Sequence, residues 1–257
     1  MCRIKGWVVA LGLFGTVLAP AAQARTLIEI ADRCPLPLRV RTASPIGIGG
    51  CSGVRPGAYY STPTAGCTFN FLFRGGDGFR YIGSAGHCLV ETNEVASWPI
   101  GSGPEIRSDT GAIVGRGAYA INRAERDFAL IRLDPGTKAN AQMCHFGGPT
   151  GLDDSHSSAP AAVEHYGQGI GVSILTPGRT AIATDRRRED TVTAMGIANL
   201  GDSGSGVMHE GRALGVIVAL VVGTTTGNIH ITRLIPQLEE AEQAIGTDLT
   251  LVTARRM

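Results

Sequence analysis

The stretch Asn199-Leu200-Gly201-Asp202-Ser203-Gly204-Ser205-Gly206-Val207 decides how the chain is read. A serine among glycines either belongs to an ordinary turn or stands where its hydroxyl attacks a carbonyl carbon. A hydroxyl is a weak nucleophile at neutral pH. The second reading therefore needs an imidazole to take the proton and a carboxylate to fix the tautomer of that imidazole. It also needs donors for the oxyanion, and Gly201 ahead of Ser203 lets two backbone N–H groups converge there.

Two other stretches supply these groups. Ser84-Ala85-Gly86-His87-Cys88 carries an imidazole, and Asp127-Phe128-Ala129-Leu130-Ile131-Arg132-Leu133 carries a carboxylate ahead of an apolar run. Each alone also reads as something ordinary: a histidine at a strand end, a solvated carboxylate, a flexible loop. Their coincidence in the order His, Asp, Ser favours nucleophilic catalysis. The order argues against an α/β-hydrolase, whose histidine comes last and whose elbow needs glycine where Ser205 stands.

The amino terminus bears on location. Arg3 and Lys5 precede an apolar stretch from Trp7 to Ala22, and Ala22-Gln23-Ala24 is a small-x-small cleavage pattern. Residues 1–24 therefore read as a secretory signal peptide, too short in its apolar part for a membrane anchor. Its removal takes two positive charges and no negative one, turning the formal charge of +1 into −1. A near-neutral chain offers no footprint for nucleic acid, and no stable membrane association is expected. The mature chain is expected to be secreted, extracellular or periplasmic, and monomeric.

After Ala24 the cysteines are Cys34, Cys51, Cys67, Cys88 and Cys144, an odd number that fits export but leaves one thiol over. Residues 25–66 are rich in Pro, Gly and Arg without periodicity. Residues 25–60 are read as an amino-terminal extension or pro-segment, and 61–257 as the main domain.

From Cys67 onward, short apolar runs alternate with turns. Thr68 to Phe73 and Phe79 to Ile82 flank Arg74-Gly75-Gly76-Asp77-Gly78, a hairpin signal. Further strands are expected over Gly111–Gly115, Ala118–Asn122, Phe128–Leu133, Gly169–Leu175, Thr191–Ala194, Val207–His209 and Leu214–Val222. Such spacing predicts an all-β sandwich or barrel. One helix is expected over Ile235–Gly246, with Pro236 in its first turn, Leu238, Ala241 and Ile245 on one face, and glycine as its stop.

Taken together, Ser-Ala-Gly-His-Cys, Asp-Phe-Ala-Leu-Ile-Arg-Leu and Gly-Asp-Ser-Gly resemble the catalytic blocks of the chymotrypsin-like serine proteases, in particular the secreted bacterial branch that includes the streptogrisins. The segment Ile231 to Ala241 is similar to that branch's closing strand and carboxy-terminal helix. The resemblance covers about residues 65–250. It implies an all-β fold of two six-stranded antiparallel β-barrels with a C-terminal α-helix and the site between the barrels. It implies His87 as general base, Asp127 as its orienting carboxylate, Ser203 as nucleophile, and Gly201 and Ser203 as oxyanion donors. It also implies a Cys67–Cys88 disulfide. Cys34 is then paired with Cys51 and Cys144 left free, because the family's partner for it near Gln168-Gly169 is absent.

The chain also departs from the pattern. Ser205 replaces the second glycine of Gly-Asp-Ser-Gly-Gly. Ile197 stands where trypsin-like members carry a carboxylate, and Val218-Ala219-Leu220 where the pocket wall is Ser-Trp-Gly or Ser-Gly-Gly. Ile197 argues against cleavage after Arg or Lys, and Leu220 in place of the family's glycine, beside Val218, implies either a pocket for small apolar side chains or a shift of the alignment toward Val222-Gly223. The partner of Asp202 is open, since bacterial relatives use an internal arginine and His145 lies where it is expected. His156, His165, His209 and His230, like His145, lack metal-ligand spacing, so neither metal nor cofactor is expected. The expected function is a secreted serine endopeptidase acting on protein or peptide substrates. The alternatives are a non-catalytic binding protein on the same fold and an esterase with the same triad.

Overall fold

The computed structural model describes residues 52–169, 178–220 and 228–256. The expected signal segment, Cys34, Cys51 and most of the strand expected over Gly169–Leu175 lie outside the described residues.

The first unit holds β1 (Tyr59–Ser61), β2 (Gly66–Thr68), β3 (Leu72–Gly75), β4 (Arg80–Ser84), β5 (Glu94–Ser97), β6 (Glu105–Ser108), β7 (Ile113–Arg123) and β8 (Arg126–Leu133). With β15 (Leu249–Leu251) they make a nine-stranded sheet in the order β15-β3-β4-β8-β7-β6-β1-β2, β5 pairing with β7. The second unit is a closed six-stranded barrel of β9 (Ala161–Tyr166), β10 (Gly178–Asp185), β11 (Thr191–Met195), β12 (Gly206–His209), β13 (Arg212–Leu220) and β14 (Ile229–Arg233). The expected two-barrel plan is thus present, its first member formed as a half-barrel sheet.

Strand alternation explains how the sheet is buried on both faces. Along β8, Phe128 and Leu130 join a cluster with Phe73, Tyr81 and Tyr119, while Ile131 and Leu133 join a second cluster with Tyr60, Leu72, Ile82 and Ile106. The first cluster also receives α1 (Leu234–Ile245) through Leu234, Leu238 and Ala241, a spacing that puts all three on one helical face. Gly246 ends the helix, its N–H donating to Glu242 O at 2.9 Å. Among the described residues no helix is long and apolar enough to cross a membrane.

Two expectations need correction. The strands expected over 111–115 and 118–122 are one strand, β7, whose pairing with β8 shifts between Gly117 and Tyr119; this bulge breaks the apparent periodicity. Tyr60 of β1 is fully buried and stacks on Phe69 with centroids 4.5 Å apart. Cys144 is disulfide-bonded, not free. It is buried, and its partner lies outside the described residues.

Candidate active site

His87 lies in the 3-10 turn Gly86–Cys88 that follows β4, and Cys88 is bonded to Cys67 of β2, Cα to Cα 6.4 Å. The implied disulfide is therefore present. It ties the histidine turn to the strand carrying Thr68. Asp127 is the second residue of β8 and holds His87 with both oxygens: Oδ1 accepts the backbone N–H at 2.9 Å, and Oδ2 lies 2.6 Å from Nδ1. In the neutral imidazole this carboxylate contact assigns the proton to Nδ1, leaving Nε2 with a free lone pair. The Asp127 side chain is 12% exposed and that of His87 31%. The carboxylate is sheltered and the imidazole is open.

Asp127 is fixed from the second unit as well. The Arg126 guanidinium, one residue earlier, meets Glu240 of α1 at 2.7 Å and Asp190 at 3.0 Å. Thr232 Oγ1 donates to Glu125 O at 3.0 Å. The β7–β8 turn is thus anchored to the barrel and the helix.

The Ser203 loop is held by two devices. Arg179, from β10, makes a bidentate pair with Asp202, Nη1 to Oδ2 at 2.6 Å and Nη2 to Oδ1 at 2.7 Å, and both residues are buried. Asp202 also accepts the N–H groups of Gly169 and Asn199, each at 2.7 Å. The second device is Thr68. Its N–H donates to Ser203 O at 2.9 Å and its Oγ1 to Gly201 O at 2.8 Å. Gly204 is pressed against Thr68 O, Ser84 Oγ and the Ala85 N–H, two residues before His87. The loop is therefore packed against the segment that leads into the histidine turn.

Within the loop the N–H groups fall into two sets. Those of Asp202, Gly204 and Ser205 donate to Asn199 O, Ile217 O and Asp202 O at 3.0, 2.8 and 2.9 Å, whereas among the described residues those of Gly201 and Ser203 have no internal acceptor. Ser203 is half-buried. Among the described residues no hydrogen bond joins Ser203 Oγ to His87, a contact that in serine–histidine couples commonly tightens with substrate.

No protein-family model matches the sequence, and no curated protein matches it. Solved structures do. A glutamic acid specific serine protease, described as using a histidine triad in substrate binding, superposes with a TM-score of 0.54 over 77% of this chain and 100% of its own, at 17% identity. The chymotrypsin of Cellulomonas bogoriensis gives 0.52 over 77% and 99%, at 18% identity. Thermobifida fusca Protease A gives 0.51 over 77% and 99%, at 16% identity. The chain has the chymotrypsin-like fold.

In this chymotrypsin-like framework the His87–Asp127 pair belongs to the half-barrel and the Ser203 loop to the closed barrel. Arg179 supplies the internal arginine that the sequence left open, and His145 does not. His145 is buried and stacks on Tyr166 with centroids 4.8 Å apart. Burial, and next the charge of Arg55, lower its pKa to about 4. A second His–Asp pair, His209 Nδ1 to Asp153 Oδ2 at 2.6 Å, is closed off by Arg186, whose Nη1 lies 3.1 and 3.3 Å from the two ring nitrogens. Cys67, His87 and Cys88 bring potential ligand atoms within 4.8 Å, but the two sulfurs are bonded to each other, which removes them as metal ligands.

The residues expected around the substrate pocket divide. Ile197 and Leu220 are exposed, at 58% and 38%. Both sit at one end of the closed barrel, Leu220 paired in register with Ile229 and Ile197 just beyond Gly196, whose N–H and carbonyl are bridged by the Asn228 amide at 3.0 and 2.8 Å. Val218 is half-buried and packs against both large core clusters, so it serves the junction between the units as well as any pocket wall.

Proposed function

We propose that the protein is a secreted serine endopeptidase that cleaves peptide bonds after apolar residues through an acyl-enzyme. The observation that carries this reading is the two-oxygen grip of Asp127 on His87, which leaves Nε2 as an open base on the side of the molecule where the Ser203 loop is packed. Ser203 Oγ attacks the scissile carbonyl carbon while His87 Nε2 takes its proton. The oxyanion is bound by the N–H groups of Gly201 and Ser203, which have no internal acceptor among the described residues. His87 then protonates the departing amine, and the C–N bond breaks. Water adds to the ester by the same route in reverse and frees Ser203, with Asp127 countering the imidazolium throughout.

Apolar preference follows from Ile197 and Leu220, exposed aliphatic side chains with no carboxylate among them. Export is supported by the Arg3-to-Ala24 pattern and by the disulfides of Cys67–Cys88 and Cys144. In this reading residues 1–24 are removed and residues 25 to about 60 act as an extension or pro-segment.

A fluorophosphonate probe tests the mechanism. It is expected to label the secreted, processed protein at Ser203, and labelling is expected to vanish in Ser203→Ala and His87→Ala. A folded, fully processed protein that neither reacts nor hydrolyses casein-type substrates overturns the reading and leaves a binding protein on the same fold. Hydrolysis of small esters without peptides would instead identify an esterase.

A further inference from the structure

We propose that the hydroxyl of Thr68 is a positioning residue that aims the Ser203 N–H at the oxyanion. The inference rests on the serine protease reading above. Thr68 belongs to β2 of the half-barrel and is fully buried, yet both its hydrogen-bond donors reach the loop of the closed barrel.

The geometry is specific to one peptide plane. Thr68 Oγ1 donates to Gly201 O at 2.8 Å, which fixes the Gly201–Asp202 peptide. The Thr68 N–H donates to Ser203 O at 2.9 Å, which fixes the Ser203–Gly204 peptide. Between these two lies the Asp202–Ser203 peptide, whose N–H is an oxyanion donor in the proposed mechanism. Thr68 therefore grips the carbonyl on either side of that donor. A rotation of the donor's peptide has to be absorbed by the dihedrals flanking it, and Thr68 pins both neighbours.

The direction of the hydroxyl proton is also determined. The Gln168 N–H donates to Thr68 Oγ1 at 3.1 Å, so the oxygen serves as acceptor on that side and its hydrogen points to Gly201 O. Thr68 O in turn accepts from Ser84 Oγ at 3.0 Å, and Ser84 Oγ accepts from Tyr60 Oη at 2.7 Å. One buried hydroxyl thus links β2, the segment after β9 and the nucleophile loop. The Thr68 backbone is held by a chain that does not depend on that hydroxyl. A change limited to the hydroxyl tests the side chain alone.

Thr68→Val keeps the shape and removes the donor, and Thr68→Ser keeps the donor. With an apolar peptide substrate, Thr68→Val is expected to lower kcat about tenfold with KM within about twofold, because the lost alignment is felt where charge develops on the oxyanion. The rate of fluorophosphonate labelling at Ser203 is expected to fall in parallel, and Thr68→Ser is expected to restore both. Equal kcat in Thr68→Val and the wild type overturns the inference, as does an equal loss in Thr68→Ser, which would make the methyl and not the hydroxyl the relevant group. If Thr68→Val does not fold, Thr68→Ala against Thr68→Ser decides the same question. A wild-type protein without activity refutes the underlying protease reading, whereas an active wild type with an indifferent Thr68→Val refutes this inference alone.

Discussion

Arg179 grips both carboxylate oxygens of Asp202 at 2.6 and 2.7 Å, with 4% and 1% of the two side chains exposed. Asp202 directly precedes Ser203. The pair therefore sets the height and orientation of the Ser203 loop from inside the closed barrel, where water cannot compete. Two charges removed from water at this cost are tolerated because every Asp202 oxygen is satisfied twice, once by Arg179 and once by the N–H of Gly169 or Asn199.

Breaking this pair strands a buried carboxylate. Arg179→Met is expected to cost about 3–5 kcal/mol of stability, and Arg179→Lys more than half of that, because a single ammonium cannot reproduce the two-point contact. Urea unfolding of the three proteins measures this. A loss under about 1 kcal/mol in Arg179→Met would show that the pair is not holding the loop.

Gly204 follows the serine with a φ of 91°, and a Cβ there would run into Thr68 O and Ser84 Oγ. Neither obstacle can retreat, since one is backbone of a paired strand and the other is hydrogen-bonded to Tyr60. Gly204→Ala is expected to abolish fluorophosphonate labelling and to lower the melting temperature. Ser205→Gly, by contrast, is expected to keep labelling within about twofold, because Ser205 lies downstream of both proposed oxyanion donors. Near-normal labelling in Gly204→Ala would mean that the loop is not seated on Thr68 as described.

The parts legible in the sequence were those whose partners are local or whose order is diagnostic. His87 and Asp127, which the structure brings into contact, stand in short motifs, and the apolar run after Asp127 marks β8 because its alternate residues feed two clusters. The helix was legible from Leu238, Ala241 and Ile245, though it begins at Leu234. Arg179 was not legible. Nothing in Gly178-Arg179-Thr180 distinguishes a buried guanidinium from a surface one until the β9–β10 register places it beneath Asp202, 23 residues on. Thr68 was hidden for the same reason: its contacts to Gly201 and Ser203 span more than 130 positions. The bond of Cys144 was not legible because the family's partner near Gln168-Gly169 is absent, and an odd cysteine count does not say which thiol is left over.

Two buried histidines are expected to make stability fall in mild acid. Burial, and next the Arg179 guanidinium, lower the pKa of His165 from 6.5 to about 3, and His145 falls to about 4. In the unfolded chain both bind a proton near pH 6.5, while in the folded protein they stay neutral until much lower pH. Below about pH 6.5 the unfolded state therefore holds more protons, and stability drops as pH falls, by about 1.4 kcal/mol per pH unit for each histidine. The stability they leave intact above pH 6.5 is lost across the window down to their folded pKa values. Melting curves from pH 7.5 to 4.5 are expected to show a steeper decline for the wild type than for His165→Leu. Parallel declines would remove His165 as a cause.

Substrate preference should answer to Leu220. Its side chain is 38% exposed at the end of β13 and in register with Ile229, on the same rim as Ile197. A leucine on the wall of a pocket fills the volume that a larger substrate side chain would occupy. Leu220→Gly is therefore expected to raise kcat/KM for a peptide with Phe at the cleaved bond relative to one with Ala, by about tenfold or more, the scale set by a few methylene groups in an apolar pocket. The Ala peptide is expected to lose affinity at the same time, because the wall it packs on is gone. Paired fluorogenic peptides differing only at that residue measure the ratio. If the ratio is unchanged while both peptides are still cleaved, Leu220 does not line the pocket, and the selectivity has to come from Ile197 and the residues around Gly196.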